Sequence, residues 1–476
     1  MPRVFRLCSL LLAALLAAPA LGARELPKPL ADALRATSVP QSSVAIVVQD
    51  LGAARPALSH NAGVPMNPAS VMKLATTFAA LELLGPAYRW KTEAYVTGAL
   101  RDGVLEGDLL LKGYGDPKLD YESFWMLLRA LRGKGLREIR GDLVLDRSFF
   151  APLQGDPARF DGDALRPYNV LPDALLVHYK SLRFAFVPEP EREAVRIYAE
   201  PRPPGLEVAN RLRLSAGSCL EGRAFRDMLQ AGFEAGPPPR ATFAGRYPIA
   251  CGEKDLHVAL LAPNEQVAGI LRELWPEMGG AWGGHVREGA VPPEARLLHT
   301  HESAPLAQMI RDINKFSNNV MARQLYLTLA TASSEPPARP ELAAETVRHW
   351  LAVKGIPAPE LAVENGAGLS RSDRLSAASL AALLQAAWAS AVMPEFIASL
   401  PLAAVDGTMK KRLIGDPVAG QAHVKTGLLS DVRAMAGYVL DRKGRRKVVV
   451  MVMNHPNAPD AEAATDALLR WAYEAR

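Results

Sequence analysis

Apolar residues follow different spacings in different parts of the chain, and these spacings predict different elements. A β-branched run bounded by turn residues at 43–50 predicts a strand. A helical pattern then runs from 71 to 84, preceded by Asn67-Pro68-Ala69, which is typical of a helix start, and it ends at Gly85-Pro86. We therefore predict that residues 24–87 form the first part of an α/β domain.

The pattern changes at about residue 88, where short alternating runs are separated by Gly, Asp and Pro turns. Prolines are frequent between residues 150 and 250, and long helical patterns are few there. This composition predicts a strand-rich insertion over residues 88–264. We expect it to consist of two nested domains, with the inner one at about 153–244.

Helical periodicity returns after residue 264 and continues to the end of the chain. The stretch 305–329 predicts one long amphipathic helix, and 460–473 predicts a final helix. Three apolar runs between them predict adjacent antiparallel strands, at 422–428, 434–440 and 447–453. Residues 265–476 would then complete an α/β (α+β) fold with an antiparallel sheet and helices, interrupted by the insertion.

The composition excludes several classes of protein. The chain has 476 residues, of which 49% are hydrophobic and 22% charged, so two or three globular domains are expected. A net charge of +5 is small for this length. The one dense basic cluster, 442–447, lies between two predicted strands, where a hairpin tip is favoured over a nucleic-acid patch. We expect no nucleic-acid partner.

The N-terminus has the features of a secretory signal peptide. Arg3 and Arg6 precede an apolar stretch, 7–18, which small residues follow. The stretch is shorter than the roughly 20 apolar residues that span a membrane. We expect residues 1–23 to be removed and the mature protein to be periplasmic, without a stable membrane anchor.

Cysteine usage agrees with export. Cys8 lies in the signal segment, and Cys219 and Cys251 remain in the mature chain. A disulfide between these two is the default for an exported protein, and two separate buried thiols are the alternative. Neither lies in a C-x-x-C or Cys/His cluster, so no metal site is expected.

Ser70 and Lys73 form the pattern Ser-x-x-Lys at the predicted helix start. A serine hydroxyl becomes a good nucleophile when a base takes its proton, and Lys73 lies on the same helical face. The lysine must then be neutral near pH 7, so burial and a second cation would have to lower its pKa from about 10.4. The pattern alone is weak, because a solvated helix start has the same spacing.

Two further motifs strengthen this interpretation. Ser317–Asn319 lies within the predicted long helix, where Ser and Asn are disfavoured. It is either a helix break or a site where Ser317 relays a proton and Asn319 holds a substrate amide. On the predicted strand at 422–428, Lys425 could be an edge residue or the second cation, while Gly427 would let a substrate backbone lie close. The ordered set is typical of β-lactamases and penicillin-binding proteins.

With these motifs, essentially the whole mature chain resembles the D-alanyl-D-alanine carboxypeptidase/endopeptidases of the type-4, class C group of low-molecular-mass penicillin-binding proteins. The long interval from Ser70 to Ser317 fits this group, in which extra domains enter between the first two motifs. It differs from the shorter interval of class A β-lactamases. Further matching segments are 67–70, 115–117, 364–371 and 406–408.

The resemblance implies a penicillin-binding transpeptidase-like fold and cleavage of peptidoglycan stem peptides through a Ser70 acyl-enzyme, with Lys73 as the base. It also implies acylation by penicillins and other β-lactams, and no metal or organic cofactor. The remaining implied roles are proton transfer by Ser317 and Lys425, substrate binding by Asn319 and Thr426, oxyanion binding by the N–H groups of Ser70 and Leu428, and contact of Arg371 with the charged stem peptide.

Some positions depart from the pattern of the group. Leu428 stands where relatives often have Ser or Thr, and the turn 178–181 differs from the acidic, Asn-containing turn of some relatives. For Arg371 a surface charge is the alternative. For the whole chain the alternatives are a β-lactamase-like hydrolase and a non-catalytic peptidoglycan-binding protein on the same fold.

Overall fold

A computed structural model describes residues 25–153 and 155–475, and the predicted signal peptide lies outside them. The α-helices of this part of the chain are α1 (Lys28–Ala36), α2 (Lys73–Leu83), α3 (Tyr121–Gly133), α4 (Gly222–Met228), α5 (Pro263–Glu277), α6 (Leu306–Lys315), α7 (Asn319–Ala330), α8 (Pro340–Val353), α9 (Ala377–Trp388), α10 (Met393–Ser399) and α11 (Glu462–Glu474). The strands are β1 (Val44–Asp50), β2 (Leu58–His60), β3 (Lys91–Val96), β4 (Ala99–Arg101), β5 (Val104–Glu106), β6 (Leu109–Gly113), β7 (Glu138–Ile139), β8 (Leu143–Asp146), β9 (Leu182–Glu189), β10 (Ala194–Glu200), β11 (Glu207–Ser215), β12 (Gly232–Glu234), β13 (Arg240–Pro248), β14 (Lys254–Val258), β15 (Ala281–Trp282), β16 (Val286–Glu288), β17 (Arg296–Glu302), β18 (Ala422–Leu429), β19 (Val432–Leu440) and β20 (Arg446–Asn454).

The main sheet is antiparallel and has the order β18-β19-β20-β1-β2. The three antiparallel strands predicted near the C-terminus are therefore confirmed. Successive residues of a strand point to opposite faces, so β1 contributes to two cores. Val44 and Ile46 pack in a core with residues of α1 and α11, whereas Ala45 and Val47 pack with residues of α2, α6, α7, α8 and α9. The sheet thus lies between two layers of helices.

The residues between α2 and α6 form smaller sheets around two separate apolar cores. The sheets β16-β8-β6-β3-β17 and β15-β7-β5-β4 enclose a core with α3 and α5. The sheets β10-β9-β14 and β11-β13-β12 enclose an aromatic-rich core beside the Cys219–Cys251 disulfide. Strand pairing continues past residue 264, because β17 pairs with β3.

The prediction of one continuous helix over 305–329 is wrong at its centre. α6 ends at Lys315 and α7 begins at Asn319. Ser317 between them has a left-handed backbone (φ 56°), and the Asn318 side chain accepts a hydrogen bond from the Met321 N–H as a helix cap. The break, one of the two alternatives left open by the sequence, turns Ser317 out of the helical path.

The start of the first catalytic helix also differs in detail from the prediction. A 3-10 turn, Ala69–Met72, precedes α2 and carries Ser70, while Lys73 is the first residue of the α-helix. Separately, none of the helices within residues 25–153 and 155–475 has the length and apolar character needed to cross a membrane.

Candidate active site

The structure brings the three sequence motifs together at one place. Lys73 Nζ lies 3.1 Å from Ser70 Oγ, and Lys425 Nζ lies 2.9 Å from Ser317 Oγ. The 3-10 turn, the break between α6 and α7, and strand β18 contribute these residues. The site is thus built where the edge of the main sheet meets two helix starts.

The Lys73 amine is fully buried and has two oxygen acceptors besides Ser70. Nζ lies 2.6 Å from Asn319 Oδ1 and 2.6 Å from the Ala367 carbonyl oxygen. Burial lowers the pKa of Lys73 well below its usual value, the Lys425 and Arg323 cations lower it further, and Asp373 opposes them. A neutral amine has two hydrogens and one lone pair. The two carbonyl oxygens take the hydrogens, which leaves the lone pair for the Ser70 hydroxyl.

Lys425 is buried just as completely, in the third motif. Its Nζ donates to Ser317 Oγ and, at 2.7 Å, to the Thr426 carbonyl oxygen. Burial lowers the pKa of Lys425 to about 7. Because both acceptors are neutral, the ammonium form keeps its full positive charge toward Lys73.

Side-chain amides hold the turn that carries the nucleophile. Asn67 Oδ1 accepts from the Ala69 N–H at 2.9 Å, and Asn67 Nδ2 donates to the Ser370 carbonyl at 2.8 Å. Asn454, at the end of β20, pairs with the backbone N–H and C=O of Asn67. Ala69 itself has a positive φ of 46°, a strained conformation that these contacts maintain.

Two glycines allow the backbone to approach Ser70 closely. A Cβ at Gly368 would lie 1.9 Å from the Ala69 carbonyl oxygen. A Cβ at Gly427 would lie 3.0 Å from Ser70 N and 2.9 Å from the Pro68 carbonyl oxygen. In the structure the Cβ position of Gly427 faces the protein's own nucleophile turn, which β18 touches at this point. That Gly427 also lets a substrate backbone lie against the strand stays a prediction.

The exposed edge of β18 presents N–H groups next to Ser70. Val424 N–H donates to the Pro401 carbonyl at 2.9 Å, on the edge of β18 opposite β19. In an antiparallel strand, alternate residues direct their N–H groups to the same edge, so Thr426 and Leu428 also present theirs there. Thr426 Oγ1 lies 2.8 Å from Thr408 Oγ1, and the Leu428 side chain is 56% exposed.

Arg371 lies at the rim of the site rather than at its centre. Its Nη1 is 2.8 Å from Asp431 Oδ1, and its guanidinium lies 4.6 Å from the centre of the Phe160 ring. It lines a cavity of about 860 Å³ whose walls include Ser370 but not Ser70.

Sequence reasoning from side-chain types missed several contributors. The Ala367 carbonyl has no side-chain signal, and only the resemblance to the family indicates its segment, 364–371. Arg323 follows Asn319 by one helical turn and resembles an ordinary surface residue of an amphipathic helix. Asn454 contacts Asn67 from nearly 400 residues away, which no local pattern could indicate.

Two further findings concern metal binding and the family of the chain. Within the described residues, no group of His, Cys, Asp or Glu side chains is placed to hold a metal ion. Residues 26–475 match the model of the D-Ala-D-Ala carboxypeptidase 3 (S13) family. The match covers nearly all of the chain, and it confirms the family to which the three motifs pointed.

Individual relatives align with this chain over most of their length. The D-alanyl-D-alanine carboxypeptidase DacB of Haemophilus influenzae is 24% identical, over 89% of this chain and 88% of the relative. A D-alanyl-D-alanine carboxypeptidase of an Actinomadura species is 28% identical, over 89% of this chain and 80% of the relative.

Solved structures agree with the fold. The crystal structure of penicillin-binding protein 4 from Haemophilus influenzae matches with a TM-score of 0.75 at 23% identity, over 94% of this chain and 99% of that one. A predatory endopeptidase of Bdellovibrio bacteriovorus has a TM-score of 0.51 at 14% identity, over 90% and 92%. The chain belongs to the D-Ala-D-Ala carboxypeptidase 3 (S13) family and is a serine peptidase with the penicillin-binding fold.

Proposed function

We propose that this protein removes the terminal D-Ala from peptidoglycan stem peptides through an acyl-enzyme on Ser70. The observation that carries the proposal is the surroundings of the Lys73 amine. Two carbonyl oxygens at 2.6 Å and the nearby cations favour a neutral lysine whose lone pair faces Ser70 Oγ. This is the arrangement that a general base for serine requires.

In the acylation step, the Ser70 proton moves to Lys73 Nζ while Oγ bonds to the carbonyl carbon of the penultimate D-Ala. The N–H groups of Ser70 and Leu428 receive the charge that develops on the carbonyl oxygen. Asn319 and Thr426 hold the substrate's amide and its terminal carboxylate. The extended peptide lies along the exposed edge of β18, where the strand's N–H groups face it.

The tetrahedral adduct then collapses and its C–N bond breaks. Ser317 Oγ gives the leaving D-Ala amine a proton and regains one from Lys425, which is replenished in turn by the proton on Lys73. Water next attacks the ester, giving a proton to Lys73 as its oxygen bonds to carbon. Ser70 takes that proton back when its own bond to the carbon breaks.

The same steps cleave a cross-link when the leaving amine belongs to a second stem peptide, which would make the protein a D,D-endopeptidase as well. Arg371 is proposed to exchange Asp431 for a carboxylate of the stem peptide, since its guanidinium is already ordered at the rim. Penicillins would acylate Ser70 in the same way, but their leaving amine stays tethered. The Haemophilus influenzae protein has been crystallised with a β-lactam.

The proposed location is the periplasm, after removal of residues 1–23. The support is the charged and apolar pattern of that segment together with the Cys219–Cys251 disulfide, which is stable in an oxidising compartment.

Product analysis with purified muropeptides tests the proposed function. The wild-type protein should release D-Ala from a pentapeptide monomer and split a cross-linked dimer, whereas Ser70→Ala should do neither. Arg371→Ala should raise KM more than it lowers kcat. The proposal would be contradicted if the wild type cleaved neither substrate, or if Ser70→Ala cleaved them as fast as the wild type. Rapid conversion of penicillin to penicilloate would instead favour the β-lactamase alternative.

A further inference from the structure

Arg323 in α7 is a buried cation that has no ion-pair partner within the part of the chain that the structure describes. The residue is 8% exposed. Its Nη1 donates only to backbone carbonyls, those of Asn169 at 3.3 Å and Val170 at 3.0 Å, and its Nε has no hydrogen-bond partner among the residues the structure describes. Burying a charge without a counter-ion is costly, and the pKa of Arg323 falls to about 10 as a result. A charge that is kept at this cost to stability indicates a functional role for Arg323.

The position of Arg323 relates it to the catalytic lysine. It follows Asn319 by four residues, so the two side chains share one face of α7. Asn319 Oδ1 is in turn one of the two acceptors of Lys73 Nζ. Arg323 therefore lies one helical turn after Asn319, which contacts the proposed base, Lys73, directly.

The way in which Arg323 is held preserves its charge. A carboxylate at its side would cancel the field of the guanidinium, whereas carbonyl oxygens fix its orientation and leave the net charge in place. The anchoring carbonyls belong to the predicted insertion. They are themselves fixed, because Val170 packs with Val320 of α7 in a small buried cluster.

The charged groups around both residues come from several elements. Lys73 is influenced by Lys425 on β18 and by Arg323 on α7, with Asp373 acting in the opposite direction. Arg323 is influenced by Glu364, but two serine hydroxyls (Ser370 and Ser372) already donate to that carboxylate. Burial raises the pKa of Asp373 to about 6. The cations thus outnumber the anion that acts on Lys73.

We propose that Arg323 is a positioning residue for this enzyme: its unneutralised charge, anchored by carbonyls of the insertion, keeps the Lys73 amine unprotonated and ready to accept the Ser70 proton. The inference rests on the proposed function, since Arg323 acts only through Lys73. It also assigns the insertion a part in the chemistry, because the insertion holds the cation in place.

The test is the rate of Ser70 acylation by a chromogenic cephalosporin between pH 5 and pH 10. Arg323→Met should move the acid limb of the profile to higher pH, since Lys73 then holds its proton more firmly. At pH 6 the rate should fall on the order of tenfold, but by less than about twofold at pH 9. Arg323→Lys keeps the charge, so the acid limb of its pH profile should stay where it is in the wild type.

A matched control is Arg412→Met. Arg412 is also a poorly exposed arginine, but it pairs with Asp466 of α11, so the acid limb of the pH profile should not move. If Arg323→Met fails to fold, Arg323→Gln carries the same comparison, because its amide is also uncharged and still has hydrogen-bond donors.

Several results would overturn the inference. The first is an acid limb that stays at the wild-type pH in Arg323→Met. The second is an acylation rate that falls by the same factor at every pH in this variant. The third is an acid limb that moves as far in Arg323→Lys as in Arg323→Met. Failure of the proposed function is distinguishable from all of these, because the wild-type protein itself would then form no adduct on Ser70.

Discussion

At position 73 the side chain must be able to lose a proton while buried. Lysine can do this because its pKa falls readily on burial, whereas arginine stays charged under nearly all conditions. The surroundings fit an amine with two hydrogens, since Asn319 and Ala367 supply one carbonyl oxygen each. The residue type and its two acceptors therefore work as a unit.

Lys73→Arg should place a permanently charged group at this position and abolish the base. We expect the second-order rate of acylation by benzylpenicillin to fall by about 10³-fold, which is typical for loss of a general base. The measurement is a time course of labelling with a fluorescent penicillin, with thermal unfolding as the control for folding. A rate within tenfold of the wild type would contradict the role of Lys73.

Asp116 should make the stability of the protein depend on pH. It is 3% exposed, its Oδ2 has no hydrogen-bond partner among the described residues, and burial raises its pKa to about 7. The folded-state pKa lies above the unfolded value, so the stabilisation is complete at pH values below the unfolded pKa of about 4 and is lost as the pH rises through about 7.

Asp116→Asn imitates the protonated form and removes this dependence. At pH 8 its free energy of unfolding should exceed that of the wild type by roughly 1 to 3 kcal/mol, and at pH 5 the gap should be smaller. Urea denaturation at the two pH values provides the measurement. A difference that is independent of pH would show that the Asp116 carboxyl does not titrate as described.

Among the elements, β18 and the 3-10 turn at Ala69–Met72 are held in direct contact. The contact depends on Gly427, which lies where any side chain would press on Ser70 N and Pro68. The two N–H groups proposed to hold the oxyanion, those of Ser70 and Leu428, come from the two elements that meet here. The proposed oxyanion site is therefore a property of two elements rather than of either one.

Gly427→Ala should push β18 away from the nucleophile turn. We expect the acylation rate to fall by about tenfold to a hundredfold, because small displacements of reacting groups cost this much. Gly63→Ala is the control, since a Cβ there meets nothing within 4 Å. Equal rates in both variants, measured in the labelling assay, would show that the close approach is unimportant.

Periodicity predicted four of the five strands of the main sheet, all but β2, and it missed the break between α6 and α7. Both helices bury the same type of apolar face, so the pattern from 305 to 329 continues across the break without interruption. The local signal was the presence of Ser317 and Asn318, which disfavour a helix interior and favour a cap. Their role became clear only from the left-handed backbone at Ser317.

For the whole molecule, the sequence indicated the long insertion because strand-like runs replaced helical ones. The predicted limits, 88 and 264, leave out β17, because its pairing with β3 spans about 200 residues and no local pattern records such a contact. We propose limits near residues 91 and 302 for the outer unit, and near 182 and 258 for the inner unit, from the sheets and their separate cores.

The Cys219–Cys251 disulfide lies in the inner unit, far along the chain from every motif residue. Replacing both cysteines with alanine should lower the unfolding free energy of that unit by about 3 to 4 kcal/mol, given the loop of 32 residues. Acylation of Ser70 should stay within about twofold of the wild type. Limited proteolysis followed by mass analysis locates the destabilised region, and cleavage confined to the main-sheet domain would argue against independent units.

The central claim is that Ser70, activated by Lys73, forms a covalent acyl-enzyme. The most direct measurement is the intact mass of the protein after brief exposure to benzylpenicillin, followed by peptide mapping, for the wild type beside Ser70→Ala. The account predicts one added penicilloyl group on the wild type, located on the peptide that contains Ser70, and none on the variant. An unmodified wild type, or an adduct that persists in Ser70→Ala, would contradict it.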